Sequence, residues 1–249
     1  MTPTLRKFLV IASVVFAIAV PALQMGLQLG LSAGEFAGDG NSTLRAAGYA
    51  FSIWSVIYAG LIAYAVWQAL PRNAGDPLLA KIAWPSVVAI AGCGLWIIAS
   101  SADWKWASVA IIVVSAATLT LALIRLVPVR AALSARVFVW WPLSLLAGWL
   151  TIASAINVLT VLTATGLIGG TSAVIAGYVG VGVVVVVALL VLHAARLPVY
   201  AIPIAWGLVA VWVAEKATKS DLAVEALVAA GIISIYAAWR AWRSGWSSR

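Results

Sequence analysis

Long apolar runs, broken by short segments that hold nearly all the charge, organise this chain from end to end. Apolar stretches near the roughly 20 residues a bilayer requires predict helices over 8–29, 49–70, 82–100, 107–127, 138–162, 173–193, 199–214 and 222–240. The stretch 199–214 is short, carries Pro203 and follows its predecessor closely, which makes it a candidate for a tilted or re-entrant segment. Within the fifth stretch, Trp149, Ala153 and Asn157 stand four residues apart, about one helical turn, and therefore share one face. An amide in hydrocarbon is costly without a partner, so Asn157 is expected to point into the protein, towards another helix or a ligand.

Composition sets the solvent. The chain is 65% hydrophobic and 9% charged with a mean hydropathy of +1.11, where a soluble domain is roughly a quarter charged. It is an all-α integral membrane protein of eight spans. Arg6, Lys7, Arg72, Lys81, Arg125, Arg130, Arg136, Arg196, Arg240, Arg243 and Arg249 fall on one side of that arrangement, and Arg45, Lys105, Lys216 and Lys219 on the other. By the positive-inside rule both termini are cytoplasmic, and the protein is expected in the bacterial inner membrane. The acids partition oppositely: Asp76 lies inside, and Glu35, Asp39, Asp103, Glu215, Asp221 and Glu225 lie outside. The first stretch outruns a signal-peptide apolar region and lacks a cleavage site, so it is expected to be retained.

The net charge of +8 does not point to nucleic acid, because the basic residues sit at helix ends rather than along a groove. Anionic lipid is the expected partner, with the loop 125–136 and the tail 239–249 as headgroup anchors. Chemistry offers little. The one histidine, His193, sits beside Arg196 at a helix end, where an interfacial residue is expected; the one cysteine, Cys93, has no partner. No carboxylate or lysine is predicted deep in a helix, which removes the usual proton relay and any Schiff base. Gly26, Gly30 and Gly34 read as a small-residue series for close helix approach, and GLIGG (166–170) as an extramembrane turn.

Depth sorts the aromatic residues. Trp67, Trp84, Trp104, Trp106, Trp140, Trp141, Trp239, Trp242 and Trp246 fall near helix ends, where an aromatic belt accounts for them. Others gather in the outer half of the first five helices: Gln24 and Gln28, then Phe51, Trp54 and Tyr58, then Trp96, then Trp149 and Asn157. Two readings follow. One is a cavity with flat aromatic walls and a few hydrogen-bonding groups, and the other is a packed bundle in which these residues bond one another.

At these residues the chain resembles the tryptophan-rich sensory protein / translocator protein family (TspO/MBR). AGYAFSIWSVIYAGLIAYAVWQALP, with Trp54 and Tyr58, is similar to that family's second helix, and GWLTIASAIN, with Trp149, Ala153 and Asn157, to its fifth; Trp96 in GLWIIAS fits the third. The resemblance implies a five-helix bundle over residues 1–165, often homodimeric, that binds tetrapyrroles such as porphyrins, sterols and synthetic ligands beneath the loop joining the first two helices. Carried over by position, it makes Trp54, Tyr58, Trp96, Trp149 and Asn157 ligand-binding candidates and residues 30–48 a lid; the depth of Gln24 and Phe51 adds those two to the candidates. The proline-rich approach to the second helix is absent, replaced by STLRAAGYA, and residues 166–249 add a three-helix extension that short members lack. The expected role is non-catalytic binding of a hydrophobic small molecule for sensing or translocation. The alternative is an accessory subunit of a larger membrane complex, docked through helices 6–8.

Overall fold

A computed structural model describes residues 2–39, 43–127 and 131–243. It is 85% helical, with no strand among the described residues and eight helices long and apolar enough to span a membrane. They are α1 (Pro3–Gly26), α2 (Ile53–Ala69), α3 (Pro77–Ser101), α4 (Lys105–Leu126), α5 (Trp141–Ala164), α6 (Gly170–Ala194), α7 (Ala201–Glu215) and α8 (Ser220–Arg243). A short helix, Ala33–Gly38, lies in the connection between α1 and α2.

Each expected span corresponds to one helix, and capping chemistry explains the shifted ends. Thr2 accepts from Leu5 N at 3.3 Å ahead of Pro3, so α1 starts before its apolar run does. It stops at Gly26, and Gln28 takes φ +51, so Gln28 does not continue the helical face of Gln24. The Asp76 carboxylate accepts from Leu78 N at 2.8 Å and Leu79 N at 3.2 Å, starting α3 five residues before the apolar count does. Pro203 does not break α7, because it occupies the first turn, where backbone N–H groups have no helical partner. A 3-10 turn, Pro198–Tyr200, brings this span to 18 residues. Before α5 the backbone widens into a π-helical turn, Arg136–Trp140, ahead of Pro142, whose ring would crowd the carbonyl four residues back in a regular helix.

The helix α5 sits at the centre, packed against α2, α4, α6 and α7. A Cβ on Gly148 would stand 2.1 Å from the Tyr200 carbonyl oxygen, so only glycine admits the entry to α7 this close to α5. The other proposed glycine series is not a helix-packing face: Gly26 ends α1 with open space beside it, Gly30 takes φ +63 against Ser101, and Gly34 belongs to the short helix.

Charge near the start of α1 has a structural use besides its place in the orientation rule. Arg6 is 2% exposed and donates to the carbonyl oxygens of Gln68 (3.4 Å), Asn73 (2.9 Å) and Asp76 (3.5 Å), closing the α2–α3 turn. Two belt assignments also change. Trp67 and Trp140 are buried, Trp67 stacking on Phe138 with 6.5 Å between centroids, whereas Trp84, Trp104, Trp106 and Trp242 are exposed. His193 pairs its Nδ1 with the Tyr236 hydroxyl at 3.0 Å, and Arg240 caps α6 through the carbonyls of Leu192 and His193. Of the expected anchors, residues 128–130 and 244–249, with Arg130, Trp246 and Arg249, lie outside the described residues, as do 40–42 of the expected lid.

Candidate functional site

The connection from α1 to α2 is built by local hydrogen bonds that aim one aromatic ring inwards. Gln24 Nε2 donates to the carbonyls of Leu29 (3.1 Å) and Leu31 (3.2 Å), folding the chain back over the end of α1. Ser32 and Glu35 then form a reciprocal capping box, Glu35 N to Ser32 Oγ at 3.2 Å and Ser32 N to Glu35 Oε2 at 2.8 Å. Those bonds favour the carboxylate and hold Glu35 below the usual carboxylate range. The helix they start buries Phe36, whose ring meets Trp96 edge-on at 6.1 Å, beneath the Lys105 ammonium at 5.9 Å. Lys105 also bridges Asp39 at 3.1 Å and pairs with Asp103.

Two adjoining cavities lie beneath this connection. The larger, about 450 Å³, is lined by Gln24, Phe51, Trp54, Tyr58, Cys93, Trp96 and Trp149, among others. The smaller, about 290 Å³, is lined by Phe36, Arg45, Phe51, Trp96, Trp149, Asn157, Thr160 and Gly207, among others. Phe51, Trp96, Trp149, Ala153 and Gly34 border both. The structure thus brings all seven sequence-derived candidates to the walls of one paired cavity. Helical spacing accounts for the aromatic geometry: Trp54 stacks on Tyr58 one turn later at 5.1 Å, and Trp149 meets Trp54 at 6.3 Å and Phe51 at 6.5 Å, both edge to face.

The amide of Asn157 is satisfied within the protein. Its Oδ1 accepts from Trp96 Nε1 at 3.3 Å, and its Nδ2 donates to Ser108 Oγ at 3.1 Å, tying α3, α4 and α5 together. The packed-bundle reading therefore holds for this residue while its side chain still borders the smaller cavity. Gln24 likewise spends its amide nitrogen on the loop, so both amides shape the cavity walls through fixed partners.

Residues that sequence reasoning passed over complete the site. Ile152, Ile156 and Thr160 continue the Trp149 face of α5 and were recoverable from helical spacing. Phe36 was signalled by the S-x-x-E capping pattern at Ser32–Glu35. Gly207 carried no signal, because its place depends on α7 packing against α5; a Cβ there would stand 2.8 Å from Ile152 Cδ1. The connection is also gripped from α7. Arg45 binds Glu215 Oε1 through its backbone N and through Nε, each at 3.1 Å, Ala47 N donates to Ala210 O at 3.0 Å, and Trp206 Nε1 donates to Ala50 O at 3.1 Å.

Fold and site together define a helical membrane protein with an aromatic, paired cavity under a tethered interhelical connection. The chain belongs to the TSPO-like protein family, whose model matches residues 7–239 and so takes in α6–α8 as well as the first five helices. Among curated proteins and among solved structures, none matches the chain.

Proposed function

We propose that this protein binds a flat, hydrophobic small molecule of tetrapyrrole or sterol-like type in the larger cavity, for sensing or translocation rather than chemical conversion. The observation that carries this reading is the convergence of Trp54 and Tyr58 of α2, Trp96 of α3 and Trp149 of α5, three different helices, on one space of about 450 Å³. That size falls within the range of roughly 300–1,000 Å³ typical of small-molecule sites. Aromatic faces would stack the ligand, and Phe51 and Gln24 would bound its edges. The ligand would enter past the connection between α1 and α2, from the outer leaflet side. The TSPO-like family is generally non-enzymatic, which agrees with this reading.

Anionic lipid at the arginine-rich helix ends, both termini in the cytoplasm, residence in a bacterial inner membrane and a homodimer are further parts of the proposal. The test is a titration of detergent-purified protein with protoporphyrin, following tryptophan fluorescence, for the native chain and Trp149→Ala. Saturable quenching that weakens at least tenfold in a folded variant supports the pocket. Linear quenching, indifferent to the substitution, means partitioning into the micelle and removes it.

A further inference from the structure

We infer that the groove between α4 and α6 is a site for an anionic phospholipid, whose acyl chains lie over α5 and whose phosphate is held where α4 and α6 end. This rests on the anionic-lipid part of the proposed function, which it deepens, and is independent of binding in the larger cavity.

First, the groove lays the central helix bare. About 900 Å³ in volume, it is walled by α4 from Val113 to Ile124 and by α6 from Ala176 to Ala194, with α5 as its floor. Thr151, Ala155, Val158 and Leu162 follow one another at three- and four-residue steps and so share one face of α5. All four are only half-buried, because that face looks out between the two walls.

Second, the occupant this surface fits is hydrocarbon. No Asp, Glu, Lys or Arg lines the groove, and the hydroxyls of its floor are spent. Thr151 Oγ1 donates to the Ala147 carbonyl at 2.9 Å and pairs with the Tyr200 hydroxyl at 2.7 Å, and Ser154 Oγ donates to the Leu150 carbonyl at 2.7 Å. An acyl chain therefore covers the floor without leaving a polar group unmatched. A second copy centred on this face by a two-fold axis would set the same concave surface against itself and leave the floor uncovered.

Third, three cations at one end of the groove have no carboxylate. Arg125 directly follows Ile124, the last lining residue on α4, and Arg196 stands just past Ala194, the last on α6; both are exposed. Arg240 is fixed at the same end of α6, its Nε and Nη2 donating to the carbonyls of Leu192 at 3.0 Å and His193 at 2.7 Å, and His193 itself lines the groove. No ion pair among the described residues includes any of these arginines, whereas Arg45, Lys105 and Lys219 each reach a carboxylate. Guanidinium groups at the mouth of an apolar groove match a phosphodiester that carries its own acyl chains.

The experiment adds dioleoyl phosphatidylglycerol or dioleoyl phosphatidylcholine to delipidated protein in detergent and reads bound lipid by native mass spectrometry. The thermal midpoint of the lipid-free protein checks that each variant folds. The native chain is expected to prefer phosphatidylglycerol, and Arg125→Gln combined with Arg196→Gln to cut that preference by about fivefold for each arginine removed. Ala155→Phe, which fills the groove from its floor, weakens both lipids severalfold, and Val228→Phe, at an exposed valine of α8, weakens neither. A preference that survives the arginine pair overturns the inference, as does an Ala155→Phe effect no larger than that of Val228→Phe. Ala155→Phe that splits a dimer while lipid binding stays intact assigns the groove to a second copy and overturns it too. Those outcomes leave a general attraction to anionic lipid standing. A native chain indifferent to the headgroup overturns that reading as well.

Discussion

Arg45, in the connection between α1 and α2, and Glu215, the last residue of α7, meet at 3.1 Å through both the backbone N–H and the guanidinium of the arginine. The Glu215 side chain is fully buried and also accepts from Thr218 Oγ1 at 3.1 Å, with Lys219 at 3.4 Å, so its carboxylate is surrounded by donors. Lys219 in turn donates to the Thr43 carbonyl at 2.7 Å, a second tie between the same two regions. An acid that reads in sequence as an ordinary outer-loop charge is the residue that fastens the roof of the cavity to the C-terminal helices.

This predicts coupling across the chain. Glu215→Ala and Arg45→Ala each lower the thermal midpoint in detergent, Glu215→Ala more, because it leaves two cations without their carboxylate. The double variant falls short of the sum by about 1–3 kcal/mol, as expected for residues in one network. Additive effects would mean that the pair contributes nothing jointly.

Asn157→Leu removes the bond from Trp96 Nε1 and the bond to Ser108 Oγ at once. The expected loss is about 1–3 kcal/mol of stability, at the lower end if the freed groups find partners within the membrane. It is accompanied by a shift in tryptophan emission as the Trp96 indole loses its acceptor. Unchanged emission and stability would show that these two bonds are not formed in the bilayer.

Trp149 is buried against Phe51 and Trp54. Trp149→Ala merges the two cavities it borders and costs about 3–5 kcal/mol as a large-to-small core change, whereas Trp149→Phe keeps an aromatic wall and costs less. Thermal unfolding of the two variants, beside ligand titration, separates loss of binding from loss of fold.

Arg6 closes the α2–α3 turn through three carbonyls. Replacing it by Met keeps much of the buried stem but frees those acceptors, and proteolysis at the Pro71–Asn73 turn is expected to accelerate severalfold. Equal cleavage rates in Arg6→Met and the native chain would show that the guanidinium is dispensable there.

The capping box makes the roof pH-sensitive in a defined direction. Glu35 is held below its ordinary value of 4.5 by its bonds to Ser32, so its contribution is present above that value and is lost as pH falls through the depressed one. Amide exchange in Ala33–Gly38 is expected to quicken relative to the bundle only below about pH 4.5, and Glu35→Gln should abolish that dependence. A transition centred nearer neutrality would point to another group.

Much of this architecture is legible in the linear order of residues because a bilayer imposes a length and a polarity that no tertiary contact can override. Eight apolar runs therefore map onto eight helices, and a four-residue spacing suffices to put Trp54 over Tyr58 and to align Trp149 with Asn157. Helix ends were less legible, since Thr2, Asp76 and the turn at Gln28 act through single hydrogen bonds or dihedral angles that an apolar count does not register.

What pattern and spacing determined, then, is the membrane solvent, the number of spans and the set of residues sharing one side of each helix, all of them consequences of local geometry. Tertiary structure decided which neighbours those sides meet. It turned the Asn157 amide to Trp96 and Ser108, buried Trp67 and Trp140, and drew α7 against α5 so that Gly207 borders the cavity and Glu215 holds its roof. Packing between helices in lipid depends on shape and on hydrogen bonds between residues far apart in the chain, and no periodicity within a single helix encodes the identity of its partner.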